Sequence, residues 1–172
     1  MDDADDGPYA REPQIEDLVR ICRALNDAGA RYLLIGGFAV IAHGGARTTK
    51  DIDLLVDASP ENVARVKQAL RILEDRAVDD VADTDIARYV VVRVADEIVI
   101  DLMARACGID YHEAVKDSER LTVDGVSIPL ASPETLIRTK NTVRPSDAAD
   151  RRYLEELLDA KRRNQDASSS DG

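Results

Sequence analysis

The chain has 172 residues, of which 44% are hydrophobic and 33% charged, and its formal net charge at pH 7 is −11. This composition predicts one globular domain, argues against broad non-specific binding to DNA, and includes no apolar run near the roughly 20 residues of a membrane span. Four of the first six residues are Asp, where a signal peptide would be basic and then apolar, so we expect a cytoplasmic location without membrane contact.

The first part of the chain predicts a helix-rich start around two short strands. Residues 1–13 are acidic, contain two prolines and have little to bury, which predicts a disordered tail. The apolar spacing that follows predicts, in order, a helix at 14–28, a buried strand at 32–35, a short helix at 38–43 ended by Gly44-Gly45, a strand at 51–57, and a helix that starts at Ser59-Pro60-Glu61.

The second part predicts two hairpins and two helices. The segments expected are strands at 88–94 and 98–103, a short helix at 111–117, strands at 120–123 and 126–130 around Asp124-Gly125, and helices at 133–142 and 146–163. Residues 164–172 are expected to form a disordered tail. The order of elements predicts a single α+β domain at 14–163, with a mixed β-sheet flanked by helices and with its C-terminal helices within 132–163.

Three acids interrupt buried strands. Asp51 and Asp53 flank Ile52, and side chains two apart on a strand share a face. Asp101 interrupts the apolar strand at 98–103. If these strands are neighbours, the three carboxylates converge on one sheet face and suit two Mg²⁺ ions, which prefer hard oxygen ligands. Each acid also has a simpler explanation, such as a turn cap or an ion pair with a nearby basic side chain.

Gly36 and Gly37 stand between a predicted strand end and a helix start. Glycines at such a place let backbone N–H groups approach an anion closely, although a plain tight turn is the alternative. The chain has neither a GxxxxGK[ST] loop nor a GxGxxG motif after a strand. A phosphate site here would therefore be of another kind.

The sequence GGFAVIAHGGARTTKDIDLLVD, residues 36–57, combines the glycine pair with the paired acids, and Asp101 follows later. This arrangement resembles the nucleotidyltransferase fold of the DNA polymerase β superfamily. It is similar to small prokaryotic nucleotidyltransferases, including the toxins of abortive-infection systems. The resemblance extends through ASPETLIRTK, residues 131–140, and covers roughly residues 14–160.

The resemblance implies a role for each matching position. Gly36 and Gly37 would hold the triphosphate of an NTP such as ATP. Asp51, Asp53 and Asp101 would bind two Mg²⁺ ions. Asp101 would also orient the acceptor hydroxyl, which would attack the α-phosphorus and expel pyrophosphate. The implied catalytic and metal-binding residues are Asp51, Asp53 and Asp101, and the further nucleotide-binding candidates are Arg47, Lys50 and Lys140. Arg47 and Lys50 could instead only neutralise the acids.

The acceptor stays open at this point. An RNA such as a tRNA end, a small molecule such as an aminoglycoside, and a protein hydroxyl all suit the chemistry; the basic segment 138–163 could follow an RNA backbone. A hypothesis of another class is a non-catalytic nucleotide-binding protein or toxin–antitoxin component. Because only two helices follow the predicted core, we also expect an antitoxin partner or a homodimer to contribute to specificity.

Overall fold

The structure is a computed structural model that describes residues 10–170. The elements in chain order are α1 (Ile15–Asp27), β1 (Tyr32–Ile35), α2 (Gly36–Ala42), β2 (Asp51–Val56), α3 (Pro60–Leu70), α4 (Asp85–Arg88), β3 (Val92–Ala95), β4 (Val99–Met103), β5 (Arg105–Ala106), β6 (Ile109–Asp110), α5 (Tyr111–Ala114), β7 (Glu119–Val123), β8 (Val126–Leu130), α6 (Pro133–Thr139) and α7 (Pro145–Ser169). Short 3₁₀ turns occupy Ala77–Asp80 and Val115–Asp117.

Six strands form one mixed sheet in the order β3-β4-β2-β1-β8-β7. The pairs β2–β4 and β1–β8 are parallel, and the pairs β1–β2, β3–β4 and β7–β8 are antiparallel. Helices α1 and α3 pack against each other, α1 also contacts β8, and α2 packs against β1 and β2. The predicted fold class, an α+β domain with a mixed sheet flanked by helices, is therefore confirmed.

Local sequence signals begin and end several elements as expected. The side chains of Ser59 and Ser132 accept hydrogen bonds from backbone N–H groups at the starts of α3 and α6, and each is followed by Pro at the first helical position. Asp124 and Gly125 both have positive φ, 49° and 77°, and join β7 to β8 in an antiparallel pair. Asp-Gly is the residue pair that such a tight hairpin turn favours.

The boundaries of several predicted elements differ from those in the structure. Helix α2 begins at Gly36 instead of residue 38, because the positive φ of Gly36 turns the chain directly from β1 into the helix. Residues 85–88 are helical, so β3 starts at Val92 instead of residue 88. Helix α6 ends at Thr139 and not at residue 142. Helix α7 continues to Ser169, past the predicted end at residue 163, since no Gly or Pro interrupts residues 146–169.

Of the predicted tail at residues 1–13, residues 1–9 lie outside the described part of the chain. Within the described part, Arg11 donates its backbone N–H to the carbonyl of Glu97 and its guanidinium to both carboxylate oxygens of Asp17. These contacts attach residues 10–13 to the domain. Among the helices of residues 10–170, none combines the length and the apolar composition needed to cross a membrane.

Candidate active site

Three carboxylates lie together on one face of the sheet. Because β2 and β4 are parallel neighbours, Asp53 stands directly beside Asp101, and Asp51 shares the face of Asp53 two residues earlier on the strand. One carboxylate oxygen from each of the three lies within 4.8 Å of the others. Asp101 is buried, while Asp51 and Asp53 are partly exposed. The strand pairing on which the predicted cluster depended is present.

Electrostatics make this cluster a site for positive charge. Burial raises the pKa of Asp53 well above its ordinary value, and the charges of Asp51 and Asp101 raise it further, against a smaller lowering by Lys140 and Arg144. Three acids at such distances repel one another unless a proton or a cation lies between them. Hard oxygen ligands in a group of three suit Mg²⁺.

Arg93, which the sequence analysis did not select, also binds this cluster. Its Nε donates to Asp101 Oδ1 at 2.9 Å and its Nη2 to Asp101 Oδ2 at 3.0 Å, so the guanidinium engages both oxygens of one carboxylate. Nη2 also lies 3.4 Å from Asp51 Oδ2. Arg93 is the β3 residue directly opposite Asp101. The sequence signal for Arg93 was a basic residue in the strand predicted to form a hairpin with the Asp101 strand. The alternative explanation of Asp101, an ion pair with a nearby Arg, corresponds to this contact.

Gly36 and Gly37 bring the backbone of α2 against the acids. A Cβ atom on Gly36 would come 1.9 Å from Asp53 Oδ2, and Gly36 has a φ of +72°, so both space and backbone require glycine. A Cβ atom on Gly37 would come 2.7 Å from Oγ1 of Thr49, whose hydroxyl donates to the carbonyl of Asp51. The glycine pair is thus packed against the strand that carries the acids.

These residues line one open cleft of about 680 Å³. The cleft wall includes both glycines, all three acids and Arg93. Two predicted cations, Arg47 and Lys140, also line it. The third, Lys50, is exposed in the loop before β2, and it is not among the described residues that form the wall.

Asp150 of α7 forms ion pairs with both Arg47 and Lys140. Lys140 Nζ donates to Asp150 Oδ2 at 2.9 Å, and Arg47 Nη1 donates to the same oxygen. Lys140 also lies 3.8 Å from Asp147 Oδ1, and the side chains of Lys140 and Asp150 are each only 7% exposed. Sequence reasoning missed Asp150 because it lies on a mostly polar helix far along the chain, where no local pattern marks a buried acid.

Residues 14–167 match the model of a protein family described as "nucleotidyl transferase of unknown function (DUF2204)". The match includes every strand of the sheet and all three acids of the cluster. A comparison with curated proteins gave no match. The matched residues, the mixed sheet and the carboxylate cluster agree, and the chain belongs to this nucleotidyl transferase family.

Proposed function

We propose that the protein is a Mg²⁺-dependent nucleotidyltransferase that moves a nucleoside monophosphate from an NTP to a hydroxyl of an RNA acceptor and releases pyrophosphate. The observation that carries this proposal is the convergence of Asp51, Asp53 and Asp101 within 4.8 Å in a cleft whose wall also contains Gly36 and Gly37. The family description supports the reaction class.

The residues present fit a divalent cation. Asp51, Asp53 and Asp101 supply carboxylate oxygens only, the ligand type that Mg²⁺ prefers, and their close spacing on one sheet face needs positive charge for balance. When bound, Mg²⁺ neutralises phosphate charge and helps to activate an attacking oxygen. These three side chains would hold it.

The chain's own residues would then orient the reactants. Backbone N–H groups at Gly36 and Gly37 would face the triphosphate, since the absence of side chains allows close approach. The Asp101 carboxylate would accept the proton of the acceptor hydroxyl. The hydroxyl oxygen would form a bond to the α-phosphorus as the bond to the bridging oxygen breaks, and pyrophosphate would leave with that electron pair. Lys140 and Arg47, held by Asp150, would face the phosphates.

The charge of the cleft supports an anionic acceptor. Its wall contains five basic side chains, Arg47, Arg93, Arg105, Lys140 and Arg144, against four acids, Asp51, Asp53, Asp101 and Asp147, although the whole chain carries a net charge of −11. A cationic aminoglycoside would be better served by an acidic wall, whereas an RNA end and an NTP both gain from basic side chains. RNA is therefore the acceptor that we propose.

The basic segment 138–163 contributes less to this proposal than its composition suggests. Arg138 pairs with Glu113, Lys140 binds Asp150, and Arg151 donates to the carbonyl of Lys140. These cations are engaged within the fold. The RNA proposal accordingly rests on the excess of basic over acidic side chains in the cleft wall, where Arg47, Arg93 and Lys140 also pair with acids.

The test uses purified protein, Mg²⁺, each α-³²P-labelled NTP in turn, and total tRNA. Label on RNA with the wild type and none with Asp53→Asn would support the reaction, identify the base and place the acceptor among RNAs. Label on neither RNA nor any added small molecule or protein, from a folded wild-type protein, would contradict the proposal. If tRNA is the acceptor, growth arrest on expression that Asp53→Asn abolishes would support a toxin role, and co-purification from the native host would test for an antitoxin partner.

A further inference from the structure

Arg93 binds two of the three carboxylates that would hold the proposed metal ion. The guanidinium of Arg93 takes Oδ1 and Oδ2 of Asp101 at 2.9 and 3.0 Å and approaches Asp51 Oδ2 at 3.4 Å. Asp51 and Asp101 belong to the carboxylate cluster suited to a divalent cation. A guanidinium that binds both oxygens of Asp101 occupies part of their lone pairs and places a fixed positive charge beside the carboxylates that would hold the ion, so it opposes ion binding.

The position of Arg93 on the sheet explains why this contact is specific. Arg93 lies in β3, one of the two edge strands of the sheet, directly opposite Asp101 in the antiparallel β3–β4 pair. Cross-strand partners face the same side of the sheet, which aims the planar guanidinium at the carboxylate in two-point geometry. Asp101 has a side chain only 7% exposed, whereas that of Arg93 is 27% exposed and lines the cleft. Arg93 therefore borders the open space of the cleft, whereas Asp101 is enclosed by the protein.

We propose that Arg93 is a built-in competitor of the metal ion: it binds Asp101 and Asp51 in one state of the site and withdraws into the cleft when a divalent cation binds. This inference rests on the proposed metal-dependent function. Arg93 is a positioning residue in this scheme, since it acts through Asp101. It neutralises the acids in the arginine-bound state, and it sets the cation concentration at which the site becomes competent.

The consequence is a lowered apparent affinity for the ion. A ligand that binds only one of two states has an apparent Kd equal to its intrinsic Kd divided by the fraction of protein in that state. If the arginine-bound state dominates by about ten to one, removal of Arg93 should tighten ion binding roughly tenfold. A residue with a purely structural role would instead weaken binding when removed, because the acids would lose their arrangement.

The experiment measures Mn²⁺ binding by electron paramagnetic resonance of the free ion, with Mg²⁺ as a competitor, on metal-stripped full-length protein. The variants are Arg93→Gln, Arg93→Lys and Arg105→Gln. Arg105→Gln is the matched control, because Arg105 lines the same cleft and its removal changes the net charge equally. The Arg105→Gln variant therefore measures how much the loss of one positive charge in the cleft wall alters ion binding by itself. Circular dichroism checks that each variant is folded.

We expect the Mn²⁺ affinity to rise roughly tenfold in Arg93→Gln and to change by less than about twofold in Arg105→Gln. Arg93→Lys should show a smaller rise in affinity, because lysine keeps the positive charge but cannot form two hydrogen bonds to one carboxylate. Equal affinity in the wild type and both Arg93 variants would overturn the competition. An equal gain in Arg93→Gln and Arg105→Gln would overturn it in favour of a general charge effect. Failure of the folded wild type and every variant to bind Mn²⁺ would refute the metal site itself, and this result is distinct from the other two.

Discussion

Gly36 lies so close to Asp53 that a Cβ atom at position 36 would come within 1.9 Å of Asp53 Oδ2. The contact joins the first residue of α2 to the central acid of β2, and it leaves no space for any other side chain. The glycine pair and the acid pair are therefore one packed unit, in which the backbone that would face a phosphate rests on a carboxylate that would hold the ion.

The first prediction concerns this contact. Gly36→Ala should lower the free energy of unfolding by about 2 kcal/mol or more and weaken Mn²⁺ binding, because the methyl group must displace the Asp53 carboxylate. Gly125→Ala is the matched control: Gly125 has a similar φ of +77° but nothing within 4 Å of its Cβ position, so it should cost only the backbone strain of about 1 kcal/mol. Urea unfolding of both variants checks this, and equal losses would contradict it.

The second prediction separates stability from activity at Asp53. Asp53→Asn should abolish nucleotidyl transfer, with a loss of about a thousandfold or more, because it removes one of the three proposed metal ligands. In metal-stripped protein the same change should raise the free energy of unfolding by about 1 kcal/mol, since it relieves repulsion with Asp51 and Asp101. The measurement is urea unfolding in EDTA. Exposed Asp80→Asn, as control, should stay within about 0.5 kcal/mol of the wild type.

The third prediction concerns the acid that holds two cleft cations. Asp150→Asn should lower the free energy of unfolding by about 3 kcal/mol, because the buried Lys140 ammonium loses its carboxylate partner at 2.9 Å and Asp147 lies farther away, at 3.8 Å. A double-mutant cycle with Lys140→Met should be non-additive by more than about 1 kcal/mol, since the two groups are in direct contact. Additive losses would show that Asp150 and Lys140 are not coupled.

The fourth prediction concerns pH and the start of α1. The two hydrogen bonds from the Arg11 guanidinium lower the pKa of Asp17. Burial of the Asp17 carboxylate raises this pKa, and the hydrogen bond from the backbone N–H of Gln14 lowers it further. An acid with a lowered folded-state pKa stabilises the fold above its unfolded pKa of about 3.9 and loses this contribution as the pH falls through the folded value.

Asp17→Asn should therefore lower the free energy of unfolding by about 1 kcal/mol at pH 7, a modest figure because Arg11 is 49% exposed. The difference between the variant and the wild type should shrink as the pH is lowered below about 4. Asp27→Asn, an exposed position at the other end of the same helix, should show little change at either pH. A difference at Asp17 that is constant with pH would contradict the assignment.

Much of the fold followed from short-range patterns. The alternation around Asp51, Ile52 and Asp53 indicated a strand with acids on one face, and Asp124-Gly125 indicated a hairpin; the structure contains both. The helix starts at Ser59 and Ser132 were also readable, because a capping side chain bonds to a backbone group only three residues away. Such features depend on neighbours within a few residues, so the residue types determine them.

The partners within the site depended on register and on distant elements. The predicted strands at 88–94 and 98–103 did not specify which residues face each other, and the observed pairing of Ala95 with Val99 is what sets Arg93 opposite Asp101. A shift of one residue would turn Arg93 to the other face of the sheet. Asp150 reaches Arg47 across 103 residues of chain, and no local pattern encodes that contact.

The sequence by itself determined the chemistry available: two acids on one strand face, a third on a later strand, and a glycine pair before them. Only the tertiary structure decided that β2 and β4 are neighbours, that Arg93 binds Asp101, and that α7 holds Lys140 and Arg47 at the cleft. The physical reason is that backbone periodicity and capping are local, whereas strand order and register result from packing the aliphatic core of the whole domain.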